Sequence, residues 1–183
     1  MIHLAVIGCG GMANSHAPQI KHVPELQVVA AVDIVEQKAI DYAARHFPEA
    51  RAYSSFEALL VDPPDKLDAV LIASPHTPHY LQAKQSMVRG WHVLCEKPMV
   101  TSSAHAYDLW QTSKDTGRLL AVAYQACYSA EYRAIQQLRD NGTLGKIQLV
   151  NGWLAQSWLA PTLGTWRQDP ALSGGGQMYD SGA

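Results

Sequence analysis

Ile2-His3-Leu4-Ala5-Val6-Ile7-Gly8-Cys9-Gly10-Gly11-Met12-Ala13 stands at the head of the chain, and its reading decides the fold. An apolar run ends at Gly8, a glycine-rich turn follows, and a helical pattern starts behind it. Each small residue has a mechanical task in such a turn. Gly8 permits the tight bend, Gly10 lets backbone approach a pyrophosphate, and Ala13 lets the helix pack closely on the strand. The helix N-terminus offers free N–H groups and a partial positive charge to phosphates. Gly-x-Gly-x-x-Ala alone is a weak signal, but the strand–turn–helix setting gives it weight. Gly8, Cys9, Gly10, Gly11, Met12 and Ala13 are therefore candidate cofactor-binding residues.

Outward from this turn, short apolar runs alternate with helical patterns. Strands are expected at 3–7, 27–32, 69–73, 92–95 and 119–123. Helices are expected at 12–22, 36–46, 78–89 and 103–116, with Ser102 or Ser103 opening the last and Gly117 closing it. Four of the five strands are almost wholly apolar, as strands covered on both faces of a parallel sheet must be. Strand alternating with helix implies right-handed βαβ units. The expected fold is α/β, a Rossmann-type doubly wound parallel sheet over residues 1–123, followed by the start of a second α/β domain over 124–183.

The second segment reads differently. A helix is expected at 130–140, then an extended stretch at 146–159 with weak alternation. Residues 147–183 hold only three charges, Arg167, Asp169 and Asp180, and three of the five tryptophans. Such a surface expects a cover, so a domain cut short after Ala183 is the expectation. Self-association through the uncovered face follows from it.

Composition narrows the function classes. The 183 residues are 48% apolar and 16% charged with a net charge of −2, which excludes a disordered chain and a basic nucleic-acid footprint. Cys9, Cys95 and Cys127 are too few and too odd in number for a disulfide framework, which favours a reducing, cytoplasmic setting. No apolar run approaches the ~20 residues of a spanning helix, and the N-terminus lacks a signal-peptide pattern. No membrane or nucleic-acid partner is expected.

Asp33 closes the second strand, where a carboxylate can accept hydrogen bonds from a ribose. Ile34, Val35 and Glu36 provide no cation for an extra phosphate, so NAD is expected in preference to NADP. Two other strand ends are chemically loaded: Ser74-Pro75-His76-Thr77-Pro78-His79 and Glu96-Lys97-Pro98. Read separately, the first is a solvated helix start and the second an ordinary turn. A metal pair from His76 and His79 is not expected, since no further ligands cluster near them in sequence.

Together, in this order, the Gly8–Ala13 loop, Asp33, Ser74-Pro75 with His79, Glu96-Lys97-Pro98 and the late run Gly174-Gly175-Gly176-Gln177-Met178-Tyr179-Asp180-Ser181-Gly182 resemble a known family. It is the glucose–fructose oxidoreductase, inositol dehydrogenase and rhizopine oxidoreductase family (Gfo/Idh/MocA). The resemblance spans the chain and implies nicotinamide-dependent oxidation or reduction of a sugar, polyol or related carbonyl compound; a homo-oligomer is expected beside it. It implies that Ser74, Pro75, His79 and Glu96 line the cofactor site. It makes Lys97 the residue contacting substrate and nicotinamide, with Glu96 and Pro98 fixing its geometry. Asp180 matches the aspartate of an Asp-x-Gly-x-His pattern whose histidine would follow Ala183. Trp166 and Arg167 resemble a substrate-contacting segment. Lys97 and Asp180 are thus the candidate catalytic pair, and Lys97, Trp166, Arg167 and Asp180 the candidate substrate contacts. Within the chain the carboxylate is expected without a partner imidazole. An NAD-dependent glycoside hydrolase of the same family and a non-catalytic NAD-sensing module are the alternatives.

Overall fold

The computed structural model describes residues 1–182. Six strands, β1 (Ile2–Ile7), β2 (Leu26–Val32), β3 (Arg51–Tyr53), β4 (Ala69–Ile72), β5 (His92–Cys95) and β6 (Leu120–Val122), form one sheet in the order β3-β2-β1-β4-β5-β6. All five pairings are parallel. The order reverses between β1 and β4, which makes the crevice beyond their carboxyl ends the natural ligand site.

The helices α1 (Gly11–Lys21), α2 (Glu36–His46), α3 (Phe56–Val61), α4 (His79–Val88) and α5 (Ser103–Thr116) connect the strands. Side chains alternate across the sheet with period two, so each strand feeds two cores. Val6, Val28 and Leu71 pack with Ala13, Ala17 and Tyr42 of α1 and α2 on one face. Ile7, Val32 and Ile72 pack with Leu59, Met87 and Leu109 of α3, α4 and α5 on the other. Full burial of side chains such as Ile7 and Ile72 stabilises by about 1.5–3 kcal/mol each. Alanines on the sheet-facing sides of α1 and α2 permit the close approach that a βαβ crossover needs.

Within residues 1–123 two elements were not expected: β3 and α3. Arg-Ala-Tyr is too short to show a period, and as the sheet's edge it pairs only with β2. Helices at 36–46, 103–116 and 130–140 fall where expected, and Gly117 closes α5 in the left-handed conformation with φ 65°. Ser102 stands at the N-cap of α5, yet its side chain makes no capping hydrogen bond.

Beyond β6 come a 3₁₀ turn (Gln125–Tyr128), α6 (Ala130–Asp140), α7 (Leu159–Thr162), a second 3₁₀ turn (Trp166–Gln168), α8 (Pro170–Ser173) and α9 (Gln177–Ser181). The stretch 146–159 expected as extended forms no strand, and its last residue, Leu159, opens α7. A strand requires a ladder partner, and among the described residues none lies beside it. Leu149, Val150 and Trp153 are 82%, 82% and 94% exposed. No helix among the described residues is long and apolar enough to cross a membrane.

Candidate functional site

Every candidate from the first domain lies at a carboxyl end of a strand. β1 delivers the glycine loop, β2 Asp33, β4 Ser74 and Pro75, and β5 Glu96 and Lys97. Gly8 has φ +88°, and a Cβ there would stand 2.6 Å from the Ser74 nitrogen and 2.7 Å from the Ala73 carbonyl carbon. The position admits only glycine because the neighbouring β4 backbone passes directly over it. Cys9 is buried, and its Sγ donates to the Val32 carbonyl oxygen at 3.5 Å.

The fit to a dinucleotide is tested at Gly10 and Gly11. Neither would place a Cβ within 4 Å of any other atom, so this face of the loop is open. Gly10 is the N-cap of α1, no side chain caps the helix, and its first turn holds no acid. Uncapped N–H groups facing open space suit a phosphate. Asp33 adds a carboxylate whose Oδ2 accepts from the Cys9 N–H at 2.9 Å and Oδ1 from the Val35 N–H at 2.9 Å. Each oxygen has a further lone pair for a ribose hydroxyl. Asp33 therefore also braces the glycine loop, a role its position in the sequence did not suggest. These residues fit a nicotinamide dinucleotide.

Burial pushes the Cys9 thiol up to about 12, and the Asp33 carboxylate adds to the effect. Cys95 is also buried, and its thiol is raised by burial and by Glu96. All three cysteines are free, and only Cys127 is partly accessible. Maleimide at pH 7.5 is therefore expected to label Cys127 alone, because only a thiolate reacts. Peptide mass spectrometry reads the result; labelling at Cys9 in the folded protein would contradict it.

His76 and His79 are not a solvated helix start. They are 3% and 0% exposed. The His79 ring spans two carbonyls, Nδ1 at 2.9 Å from Pro98 O and Nε2 at 2.9 Å from Ser74 O, tying the β4 loop to the β5 loop. Burial lowers its basicity, while the two carbonyls and Glu96 act the other way. Ser74 Oγ donates to Gln82 Oε1 at 2.6 Å, fixing the same loop to α4. The Lys97–Pro98 peptide is cis. Glu96 is 5% exposed; its Oε1 accepts from His16 Nε2 at 2.6 Å and its Oε2 from the Lys97 N–H at 3.2 Å. His16, on α1, is thus a site residue that sequence reasoning missed.

Lys97 reaches out of this braced loop to α9. Its Nζ donates to Asp180 Oδ1 at 3.1 Å and also to the Asp180 carbonyl oxygen. Arg167 Nε donates to Asp180 Oδ2 at 2.9 Å, and its guanidinium lies over the Trp166 ring at 4.4 Å. Trp166 in turn meets His76 edge-on at 4.7 Å. Burial by itself raises the Asp180 carboxyl, but hydrogen bonds and charges from Arg167 and Lys97 outweigh it and hold the group below the usual carboxylate range. Lys97, Trp166, Arg167 and Asp180 are thereby brought together from two parts of the chain.

The expected absence of an imidazole beside Asp180 is corrected. His76 Nε2 lies 3.6 Å from Asp180 Oδ1. The reason is tertiary: Thr77 N–H donates to Leu172 O at 3.0 Å and His76 Nδ1 lies 2.9 Å from Ser173 O, so α8 docks on the β4 loop and carries α9 with it. The marker in the sequence was the Ser74–His79 run itself, but nothing local names a partner at 180.

Residues 2–124 match the family profile described as an oxidoreductase family with an NAD-binding Rossmann fold, and residues 132–183 match the GFO/IDH/MocA C-terminal domain. The chain belongs to the GFO/IDH/MocA oxidoreductase family. It is similar to inositol 2-dehydrogenase of Streptomyces avermitilis, with 35% identity over 80% of this chain and 42% of that protein. It also resembles GenD2 from gentamicin A biosynthesis, solved with NAD, with TM-score 0.81 and 28% identity over 99% of this chain and 50% of the other. KijD10, a 3-ketoreductase from Actinomadura kijaniata solved with TDP-benzene and NADP, gives TM-score 0.71 and 26% identity over 80% of this chain and 45% of its own. The chain spans about half the length of the curated relatives it matches.

Proposed function

We propose that this GFO/IDH/MocA chain supplies the nucleotide-binding domain, residues 1–123, and the first part of the substrate domain, residues 124–183, of an NAD-dependent dehydrogenase acting on a sugar, polyol or related carbonyl compound. The observation that supports this best is the Lys97 ammonium held by Asp180 beyond the end of β5, beside a glycine loop open for a dinucleotide. The nicotinamide supplies the hydride acceptor when bound. Gly10, Gly11 and the N-terminus of α1 would take the pyrophosphate, and Asp33 the ribose hydroxyls. Ser74 and Pro75 would line the nicotinamide side, with His79 and Glu96 holding the loop that bears Lys97. Lys97 offers N–H donors to the oxygen that becomes negative as its carbon loses hydride, and such a donor typically contributes 10²–10³ in rate, about 3–4 kcal/mol. Asp180 holds Lys97 in place, and Arg167 with Trp166 forms the adjoining wall for a hydroxylated substrate.

Calorimetric titration of the chain with both cofactors, alongside NADH formation by the full-length protein over a polyol and hexose panel, tests this. NADH is expected to bind more tightly than NADPH, because the extra phosphate would meet Asp33 with only Ile34, Val35 and Glu36 beside it. Tighter NADPH binding would reverse the cofactor assignment, and no turnover of any polyol or sugar would remove the substrate class. A reducing cytoplasmic setting is part of the proposal, supported by three free cysteines. So is self-association. The exposed Leu149, Val150 and Trp153 invite burial, and light scattering of the 183-residue chain is expected to give dimers or larger species. A monodisperse monomer would count against it.

A further inference from the structure

The glycine loop is open on one face and held by side chains on the other. Asn14, in the first turn of α1, turns its amide under the loop: Nδ2 donates to Gly10 O at 2.8 Å and to Cys9 O at 3.3 Å. Carbonyls only accept, so the NH₂ faces them and Oδ1 points the other way. There Oδ1 meets His46 Nε2 at 2.9 Å. An amide oxygen also only accepts, so Nε2 carries a hydrogen and donates it. His46 is the last residue of α2 and packs against Tyr42 at 5.1 Å between ring centres. The Tyr42 hydroxyl donates to Ala13 O at 3.3 Å, so the end of α2 is fastened to the start of α1 at two points. Cys9 is thereby gripped from both sides, its N–H by Asp33 Oδ2 at 2.9 Å and its carbonyl by Asn14.

We propose that Asn14 and His46 form a lock that sets the glycine loop in its pyrophosphate-binding shape before the cofactor arrives. This rests on the dinucleotide reading of the loop given above. A pyrophosphate needs N–H groups on the open face, and a carbonyl turned that way would repel it. Asn14 draws the Cys9 and Gly10 carbonyls to the protein side, and His46 keeps the Asn14 amide from turning over. Ordering the loop in advance removes a cost that binding would otherwise carry. Both are positioning residues, acting through the backbone of the loop rather than on any reacting atom.

The surroundings suit this task. Burial chiefly, with the Lys21 and Arg45 charges adding, lowers the basicity of His46, so the ring is neutral at physiological pH and its single hydrogen is committed to Asn14. Phe47, 6.2 Å from the His46 ring, and the Lys21 ammonium 5.6 Å from the Phe47 ring complete the packing around it. Asparagine is a weak helix former, so α1 by itself would be better served by alanine at this position. What asparagine adds is a group that donates to the loop on one side and accepts from α2 on the other.

The test is NADH titration of the full-length protein and three variants, with urea denaturation alongside. Asn14→Ala is expected to weaken NADH binding about 10-fold, the worth of one to two hydrogen bonds, with no loss of stability because alanine favours the helix. His46→Phe keeps a ring but no donor, and is expected to weaken binding about 3-fold or more. His46→Gln can offer an amide N–H to Asn14 Oδ1 and is expected to stay within about 2-fold of the parent. In turnover, the loss should appear in KM for NAD rather than in kcat. Spectra of ¹⁵N-histidine-labelled protein without cofactor, assigned by the signal lost in His46→Phe, should show the hydrogen of His46 on Nε2. Unchanged NADH affinity in Asn14→Ala, equal affinities in His46→Phe and His46→Gln, or a hydrogen resident on Nδ1 would each overturn the lock. So would affinity losses that merely follow a falling urea midpoint, since packing alone would produce them. A parent protein that binds no NADH would overturn the dinucleotide reading and the lock's purpose with it, whereas a parent that binds NADH and is indifferent to Asn14→Ala sinks the lock alone.

Discussion

Lys97→Ala in the full-length protein is expected to lower kcat/KM by about 10²–10³-fold while NAD(H) affinity stays within a few-fold. The separation follows from where Lys97 sits. Its Nζ engages Asp180 on α9, whereas the open glycine loop and Asp33 lie at the ends of β1 and β2, on the other side of the crevice. Loss of the ammonium leaves Asp180 with Arg167 as its one hydrogen-bonded cation, so part of the loss would come from a displaced α9. Lys97→Arg separates the two contributions. It restores a cation to Asp180 but not a compact donor at the reacting oxygen, so α9 should stay docked while turnover remains low. Steady-state kinetics with cofactor titration reads both quantities. Undiminished turnover in Lys97→Ala would take Lys97 out of the chemistry, and a parallel fall in NAD affinity would make it a cofactor residue instead.

Gly8→Ala is expected to destabilise the first domain strongly, and Gly10→Ala only to weaken cofactor binding. A Cβ at Gly8 would stand 2.6–2.8 Å from backbone atoms of Ala73 and Ser74, which no side-chain rotation relieves. Overpacking of this kind costs about 1–3 kcal/mol. The positive φ of 88° adds roughly 1–2 kcal/mol for any residue with a Cβ. Set against the 5–15 kcal/mol that holds a typical domain together, the sum is a large share. The contact also lies between β1 and β4, the pair on either side of the crevice, so relief by movement would open the site. At Gly10 φ is −83° and nothing stands within 4 Å of the new methyl group. The cost there falls on whatever approaches the loop. Urea denaturation should therefore shift the midpoint strongly for Gly8→Ala and hardly at all for Gly10→Ala, while NADH titration detects the loss in both. Equal stability of the two variants would show that the β4 backbone yields to a side chain at Gly8.

The pairing of these two glycines also shows how far the sequence could be read. Its local signals were sufficient for the first domain: apolar runs bounded by glycine for the strands, helical spacing between them, and a glycine placed to close α5. They placed Asp33, Ser74, Glu96 and Lys97 together because a doubly wound sheet sends all its carboxyl ends to one edge. They did not reveal β3, whose three residues show no period and whose existence depends on the β2 edge it completes. Nor did they reveal that 146–158 stays out of any strand, since alternation specifies a strand only where a ladder partner exists. At the site, the sequence by itself determined the chemical types: a lysine on a strand end, a carboxylate behind a glycine run, and a loop rich in histidine. Only the tertiary structure decided their company. His16 meets Glu96 across the crevice, and His76 meets Asp180 because α8 hydrogen-bonds to the β4 loop. Turns, caps and periods are energies of neighbouring residues and can be read within a few positions. A contact between loops distant in sequence is settled by how a later segment docks on the finished sheet, and no local spacing encodes that.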